Sequence, residues 1–184
     1  MNLLTNIINN SLTDKNTIHS YLPTYQKLFD PIQLSATHIL EIGVASGGSI
    51  LLWHDFFHNA EIHGIDKISI PNILKTHERI KFHQCNAYKF ENIKELFIDK
   101  NIKFDVIIDD GPHKHNSMIK MAQYYNQLLK PNGLLIIEDV KRLDWVPPIK
   151  NVLPIDMQNS LEIVDNRHIK NRYDDIMIIA RRPY

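Results

Sequence analysis

The stretch FDVIIDDGPHKH, residues 104 to 115, runs from hydrophobic residues into Asp109 and Asp110, turns at Gly111-Pro112 and presents His113 and His115. A second apolar run, GLLIIEDV at 133 to 140, ends in the same way on Glu138 and Asp139. Carboxylate pairs in such places either cap helices and line solvated loops, or repel one another until a cation or a proton joins them. His113, with an unperturbed pKa near ~6.5, is a candidate proton acceptor; a plain helix-start position is the other reading. The HKH triplet has no cysteine nearby and no H-E-x-x-H spacing, which argues against zinc at this turn.

Five of the hydrophobic runs that must position these groups alternate with longer segments. THILEIGV (37 to 44), AEIHGID (60 to 66), RIKFHQC (79 to 85), KFDVIID (103 to 109), GLLIIED (133 to 139), LEIVD (161 to 165) and DIMIIAR (175 to 181) read as short strands bounded by turn residues. Segments of helical length, such as GGSILLWHDFFH, KFENIKELFIDK and HNSMIKMAQYYNQLLK, separate the first five. This rhythm predicts an α/β fold with a mostly parallel sheet covered on both faces. LEIVDNRHIKNRYDDIMIIARR predicts two strands joined by a polar hairpin, so the sheet should end in an antiparallel pair. A polar, helical stretch should precede the first strand and end near Phe29-Asp30-Pro31.

With 184 residues, 43% hydrophobic and 23% charged, and a formal net charge of zero, the chain suits one soluble domain across 1–184. Neutrality disfavours nucleic acid or an anionic membrane as partner. No apolar run reaches the ~18 residues of a membrane span, and the amino terminus lacks the pattern of a signal peptide. Cys85 is the only cysteine, so a reducing, cytoplasmic setting is the expectation. Cys85, Trp53 and Phe56-Phe57 read as core, and His115 as an exposed neighbour.

The first strand leads into ILEIGVASGGS, where Gly43 and Gly47 would let a nucleotide-like ligand approach the backbone. The spacing is Glu41-x-Gly43-x-Ala45-x-Gly47, and Asp66 ends the second strand 23 positions after Gly43. That is close to the ~20-residue offset of a ribose-binding acid, though Asp66 could equally cap a helix. Asn86, after the third strand, could meet a base edge or simply make a turn.

These residues resemble the class I S-adenosylmethionine-dependent methyltransferases, with Ala45 replacing the middle glycine of the first motif. The resemblance implies a single seven-stranded, Rossmann-like domain that takes S-adenosylmethionine as cofactor. Gly43 and Gly47 would border the methionine moiety, Asp66 hold the ribose and Asn86 lie near adenine. Ala45 and Ser46 in the same turn, with Glu41 and Asp109 facing the cationic cofactor, complete the implied set. In the strand order of that fold the fourth and fifth strands are neighbours, about 4.8 Å apart, so all four carboxylates converge. An all-oxygen cluster suits Mg²⁺, Mn²⁺ or Ca²⁺ better than zinc.

DDGPH followed by PNGLLIIEDV is more specifically similar to the macrocin O-methyltransferase group, metal-dependent enzymes that methylate sugar hydroxyls. By that resemblance Asp110, Glu138 and Asp139 bind Mg²⁺ (or Mn²⁺) and His113 is the base. DKNTIHSY (14 to 21) resembles the group's D-K-x-x-x-H-x-Y segment, which makes Lys15, His19 and Tyr21 candidate pocket residues and brings residues 1–31 to the pocket. Pro112 departs from the group, where serine is frequent, and the chain is shorter than members acting on macrolide sugars. The expected partner is a small-molecule hydroxyl acceptor, a nucleotide-linked or glycoside sugar, and a homo-oligomer is compatible. Competing readings are a catechol or phenol acceptor, an NAD-dependent oxidoreductase and a non-enzymatic cofactor-binding protein. Trp145 could stack on a sugar ring or pack internally.

Overall fold

A computed structural model describes residues 3–184. In chain order the elements are helices α1 (Leu4–Ile7) and α2 (Leu22–Phe29), strand β1 (His38–Ile42), α3 (Gly48–Phe56), β2 (Glu61–Asp66), β3 (Ile80–Gln84) and α4 (Phe90–Ile93). There follow β4 (Phe104–Asp109), α5 (His115–Tyr125), β5 (Leu129–Ile137), α6 (Val146–Asn151), α7 (Ile155–Asn159), β6 (Glu162–Asp165), α8 (Arg167–Lys170) and β7 (Ile176–Arg181). All seven expected strands form, in one sheet ordered β3-β2-β1-β4-β5-β7-β6. The first five are parallel, and β7 runs antiparallel to both β5 and β6. Among the described residues no helix is long and apolar enough to cross a membrane.

Three expectations change. The expected helix between β2 and β3 is only a 3₁₀ turn, Asn72–Leu74; Pro71 has no amide proton and biases Ile70 away from helical angles. The polar link between β6 and β7 contains the single turn α8. The amino-terminal stretch is helical only at α1 and α2, with turns over 10–18. In addition, β5 starts four residues before the expected run, at Leu129. It passes through Pro131-Asn132-Gly133 with Asn132 at φ +61° and a register shift against β4.

Alternating side chains bury the sheet on both faces. One face packs Leu40, Ile65, Ile107 and Leu135 against α4 and α5 residues such as Ile93, Met121 and Tyr125. The other packs Ile39, Ile62, Val106 and Ile136 with Trp53 and Phe56 of α3 and Tyr25 and Phe29 of α2. Trp53, Phe56, Phe57, Phe29 and Tyr25 are fully buried, as expected of the first three. Burial of one such side chain is worth about 1.5–3 kcal/mol, so Tyr25 and Phe29 offset part of the entropy lost in ordering the eight residues of α2. The strand order reverses between β1 and β4, and the crevice beyond the carboxyl ends of the strands at such a point is where ligands bind in open α/β sheets.

Candidate active site

Backbone geometry at the strand ends builds this crevice. Gly43 has φ +89°, and a β carbon there would lie 2.0 Å from the carbonyl oxygen of Asp110. The Asp110 amide donates to the Ile42 carbonyl at 2.8 Å and the Gly43 amide to Ile65 at 2.9 Å, so three strand ends are tied at this point. Ala45, His113 and Asp139 are non-glycine residues in the left-handed region, at φ +46°, +49° and +55°. Such conformations are unfavourable by about 1–2 kcal/mol each and persist where their surroundings fix them, which is frequent at functional sites.

A cavity of about 710 Å³ opens beside Gly43, within the usual size for a cofactor. Its wall includes Gly43, Val44, Ala45, Asp66, Tyr88, Asp110 and His113, and residues Asn10 to Asp14 with Thr17 and Ile18 form another side. That segment is held down closely. The Ser46 hydroxyl donates to the Leu12 carbonyl at 2.9 Å, and a β carbon on Gly48 would lie 2.2 Å from the same oxygen. Sequence reasoning did not single out Gly48, because its role depends on the close approach of Leu12, a residue 36 positions earlier in the chain.

The implied cofactor residues divide. Asp66 lines the cavity, but its Oδ2 accepts the amides of Val44 (2.8 Å) and Ala45 (3.1 Å) and its Oδ1 those of Lys67 (2.6 Å) and Ile68 (3.3 Å). It therefore organises the glycine turn itself. Asn86 turns its side-chain oxygen to the Tyr88 amide at 3.1 Å, while its neighbours Cys85, Ala87 and Tyr88 line the cavity. Cys85 is thus half-buried on the cavity wall. Gly47, at φ +91°, packs on Leu74. Glu41 and Asp109 lie behind the wall: Glu41 accepts from Trp53 Nε1 at 3.1 Å, and Asp109 from the Tyr88 hydroxyl at 2.5 Å. Burial pushes Asp109 up to about 6 against the pull of that hydroxyl and the Gly111 amide.

Burial alone would raise the Asp66 carboxyl, but its four backbone donors outweigh it and hold the group below the usual carboxylate range. A depressed acid contributes stability above its unfolded pKa, near ~3.9, and loses it as pH falls through the lower folded value. Asp66→Asn should therefore lower the urea midpoint at pH 7, and the gap to wild type should narrow as the pH falls below that of a free aspartate. A gap that stays constant with pH would exclude this origin.

Three of the four strand-end acids, Asp110, Glu138 and Asp139, converge, the first two around a cation supplied by the chain, whereas Asp109 is turned to the Tyr88 hydroxyl. Lys15 is fully buried, with Nζ 2.7 Å from Asp110 Oδ2, 2.6 Å from Glu138 Oε1 and 3.2 Å from Glu41 Oε1. Burial would lower the Lys15 pKa, yet the carboxylates of Asp110, Glu138 and Glu41 raise it well above the ordinary value. The Tyr25 hydroxyl also donates to Glu138, and the Tyr21 hydroxyl to Asp139 Oδ1 at 2.7 Å. His19 Nδ1 sits 3.3 Å from the same Asp139 oxygen. The three residues of the DKNTIHSY segment thus all reach the acidic centre, together with Tyr25.

His113 lies on the cavity side, with Nε2 3.0 Å from Asp110 Oδ1 and Nδ1 3.3 Å from Asp139 Oδ2. Partial burial would lower its pKa, but the hydrogen bond to Asp110 and the charge of Asp139 raise it, making the imidazole a stronger base. Trp145 stacks on His115, with ring centroids 5.0 Å apart. His115 is consequently half-buried and not an exposed neighbour, and one face of the indole is already covered.

The donor set fits a hard divalent cation on the cavity side. Ligand atoms of Asp110, His113 and Asp139 lie within 4.8 Å of one another. Even with Lys15 present the centre carries surplus negative charge: burial first, then Asp110 and Asp139, push Glu138 above the carboxylate range despite the ammonium. Asp139 is likewise raised, by burial and by Asp110. Glu138 is the least available of the three acids, being buried and engaged by Lys15 and Tyr25.

A mostly parallel sheet with this reversal point and a glycine turn facing a cavity define a cofactor-binding class of α/β fold. The chain belongs to the methyltransferase domain family, whose match covers residues 33–180. It is 27% identical over 169 residues to the 8-demethyl-8-alpha-L-rhamnosyl tetracenomycin-C 2'-O-methyltransferase of Streptomyces olivaceus, covering 85% of this chain and 43% of that protein. It is 29% identical over 145 residues to the demethylmacrocin O-methyltransferase of Streptomyces fradiae, covering 73% of this chain and 35% of the other. The chain spans less than half the length of these curated relatives. The solved structure of the MycE methyltransferase from the mycinamycin pathway, in complex with Mg, SAH and mycinamycin VI, shares the fold. Its TM-score is 0.77 at 19% identity, over 99% of this chain and 55% of that one.

Proposed function

We infer that the chain, as one domain over 1–184, is an S-adenosylmethionine-dependent, divalent-metal-assisted O-methyltransferase acting on a sugar hydroxyl. The observation that carries this reading is the contact between the two halves of the site: Asp110 and His113 line the cavity at the glycine turn and also belong to the acidic cluster. One named relative is, by its name, an O-methyltransferase of a rhamnosyl compound, and an acidic cluster beside the cavity is compatible with a hydroxyl acceptor. When bound, the cofactor supplies a methyl on a positively charged sulfur, and a divalent cation supplies Lewis acidity that makes a hydroxyl more acidic.

The residues then divide the work. The glycine turn, shaped by Asp66, approaches the Asp110 backbone too closely for any β carbon at Gly43, and it walls the cavity that would take the cofactor. Asp110 and Asp139 would hold the cation, with Glu138 behind them, and Lys15 keeps the buried carboxylates from expelling one another. His113 would take the hydroxyl proton, and the cofactor, held at the glycine turn, would supply the methyl group to the oxygen and leave as a neutral thioether. Nothing covalent forms on the protein, so positioning carries most of the rate.

The test is methyl transfer from labelled S-adenosylmethionine to nucleotide sugars, glycosides and catechols, with Mg²⁺ or with a chelator. Transfer to a sugar hydroxyl, lost with the chelator, is expected; transfer to catechols alone would eliminate the sugar acceptor. His113→Gln should lower turnover by about 100-fold or more while calorimetry still detects cofactor binding. Binding of NAD in place of S-adenosylmethionine would sink the whole reading.

A further inference from the structure

A second cluster lies on the sheet well apart from the cavity in chain terms, where β1 and β2 begin. His38 opens β1 and Glu61 opens β2, and the parallel register pairs them directly. His63, two positions along β2, projects from the same face as Glu61. Ligand atoms of His38, Glu61 and His63 fall within 4.8 Å of one another. None of these residues takes part in the site described above.

Three features distinguish this cluster from ordinary buried histidines. His63 is 2% exposed, and its Nε2 lies 2.8 Å from Glu61 Oε1, an ion-pair distance without good hydrogen-bond geometry. Around a tetrahedral zinc with bonds of about 2.0–2.1 Å, neighbouring donor atoms are roughly 3.3 Å apart, so moving the two apart by about half an ångström would seat both donors on one ion.

The outer nitrogens of both histidines are engaged. His63 Nδ1 is 3.0 Å from His83 Nε2, and His38 Nδ1 is 3.0 Å from Thr37 Oγ1. A histidine that binds a metal through one nitrogen almost always gives the other a fixed partner, and here both partners sit on Nδ1, so that Nε2 of His63 is the nitrogen that faces Glu61. Edge contacts from Phe104 and Phe97, at ring-centroid distances of 5.2 and 5.7 Å, hold the His63 ring in orientation. Lys81 opposes a cation, with Nζ 3.6 Å from Glu61 Oε2, but it is a half-exposed side chain on the outer oxygen and is free to swing into solvent.

We propose that His38, Glu61 and His63 form a second metal site, for zinc or a similar borderline divalent ion, with solvent completing the coordination. Two imidazoles and one carboxylate are a zinc set with one open position, whereas the acids beside the cavity suit a hard ion. This site does not depend on the methyltransferase reading, and neither stands or falls with the other.

The test uses the full chain, stripped of metal, in the His113→Gln background, so that the cavity wall offers no histidine, and with excess Mg²⁺ to occupy the acids beside it. Calorimetry with Zn²⁺ should then show one equivalent bound, Co²⁺ should give a visible spectrum of low coordination, and zinc should raise the melting temperature. Adding His38→Asn, or separately Glu61→Gln, should weaken zinc binding at least tenfold and abolish the melting shift. Both positions are only partly buried, and circular dichroism of the metal-free variants checks that each folds. No zinc binding in the background protein, or undiminished binding in a folded His38→Asn or Glu61→Gln variant, would overturn the proposal.

Discussion

Replacing Lys15 with methionine should remove about 3–5 kcal/mol of folding stability, the usual penalty for leaving buried charges without their partner. The methionine fills much of the same volume, so packing loss is a minor part. What changes is that Asp110, Glu138 and Glu41, each within 3.2 Å of the ammonium, face one another uncompensated. The loss should be largest near neutral pH and shrink on acidification, when the unfolded chain no longer gains from ionising its carboxyls. Urea denaturation of both proteins at several pH values, in metal-free buffer, measures this directly. A surface lysine would change stability by less than about 0.5 kcal/mol, and a value that small would show that the acids are already protonated.

Gly43→Ala should prevent the protein from reaching its native state or from binding cofactor. The new methyl would sit 2.0 Å from the Asp110 carbonyl oxygen and 2.6 Å from its carbon. Both are backbone atoms that cannot rotate away. Relieving the clash means parting β1 from β4 where the Asp110 amide bonds Ile42 at 2.8 Å. Overpacking of about 1–3 kcal/mol then adds to the strain of φ +89°, itself about 1–3 kcal/mol. The reverse exchange two residues on should behave oppositely. Ala45 sits at φ +46° on an exposed turn, so Ala45→Gly relieves strain and should leave the melting temperature equal or slightly higher. Melting curves of the two variants side by side, with S-adenosylmethionine added to each, distinguish this account from a general sensitivity of the turn to mutation.

The fold was legible because its strands are apolar on both faces and their spacing repeats; DVIID and LLIIED have little alternative to burial. The β2–β3 link was not, because its length suited a helix and only the local effect of Pro71 argued otherwise. In the site, the strand-end acids could be found because they are consecutive residues at marked boundaries. The position of Glu41 in the motif does not reveal which side of the strand it occupies, and its side chain meets Trp53 and Lys15. The role of Lys15 lay beyond pattern reading: its partners Asp110 and Glu138 are 95 and 123 positions away. The segment's resemblance to known sequences marked Lys15 as a pocket residue without saying that it would serve as the internal counter-ion.

The family match begins at residue 33, and every strand lies beyond it. A protein trimmed to that boundary would keep the whole sheet yet lack the ammonium of Lys15, the hydroxyls of Tyr21 and Tyr25, and the cavity wall from Asn10 to Ile18. The recognised domain and the working unit are therefore different lengths of this chain. Fusions or truncations planned from the recognised domain alone would yield a scaffold whose acidic centre repels itself.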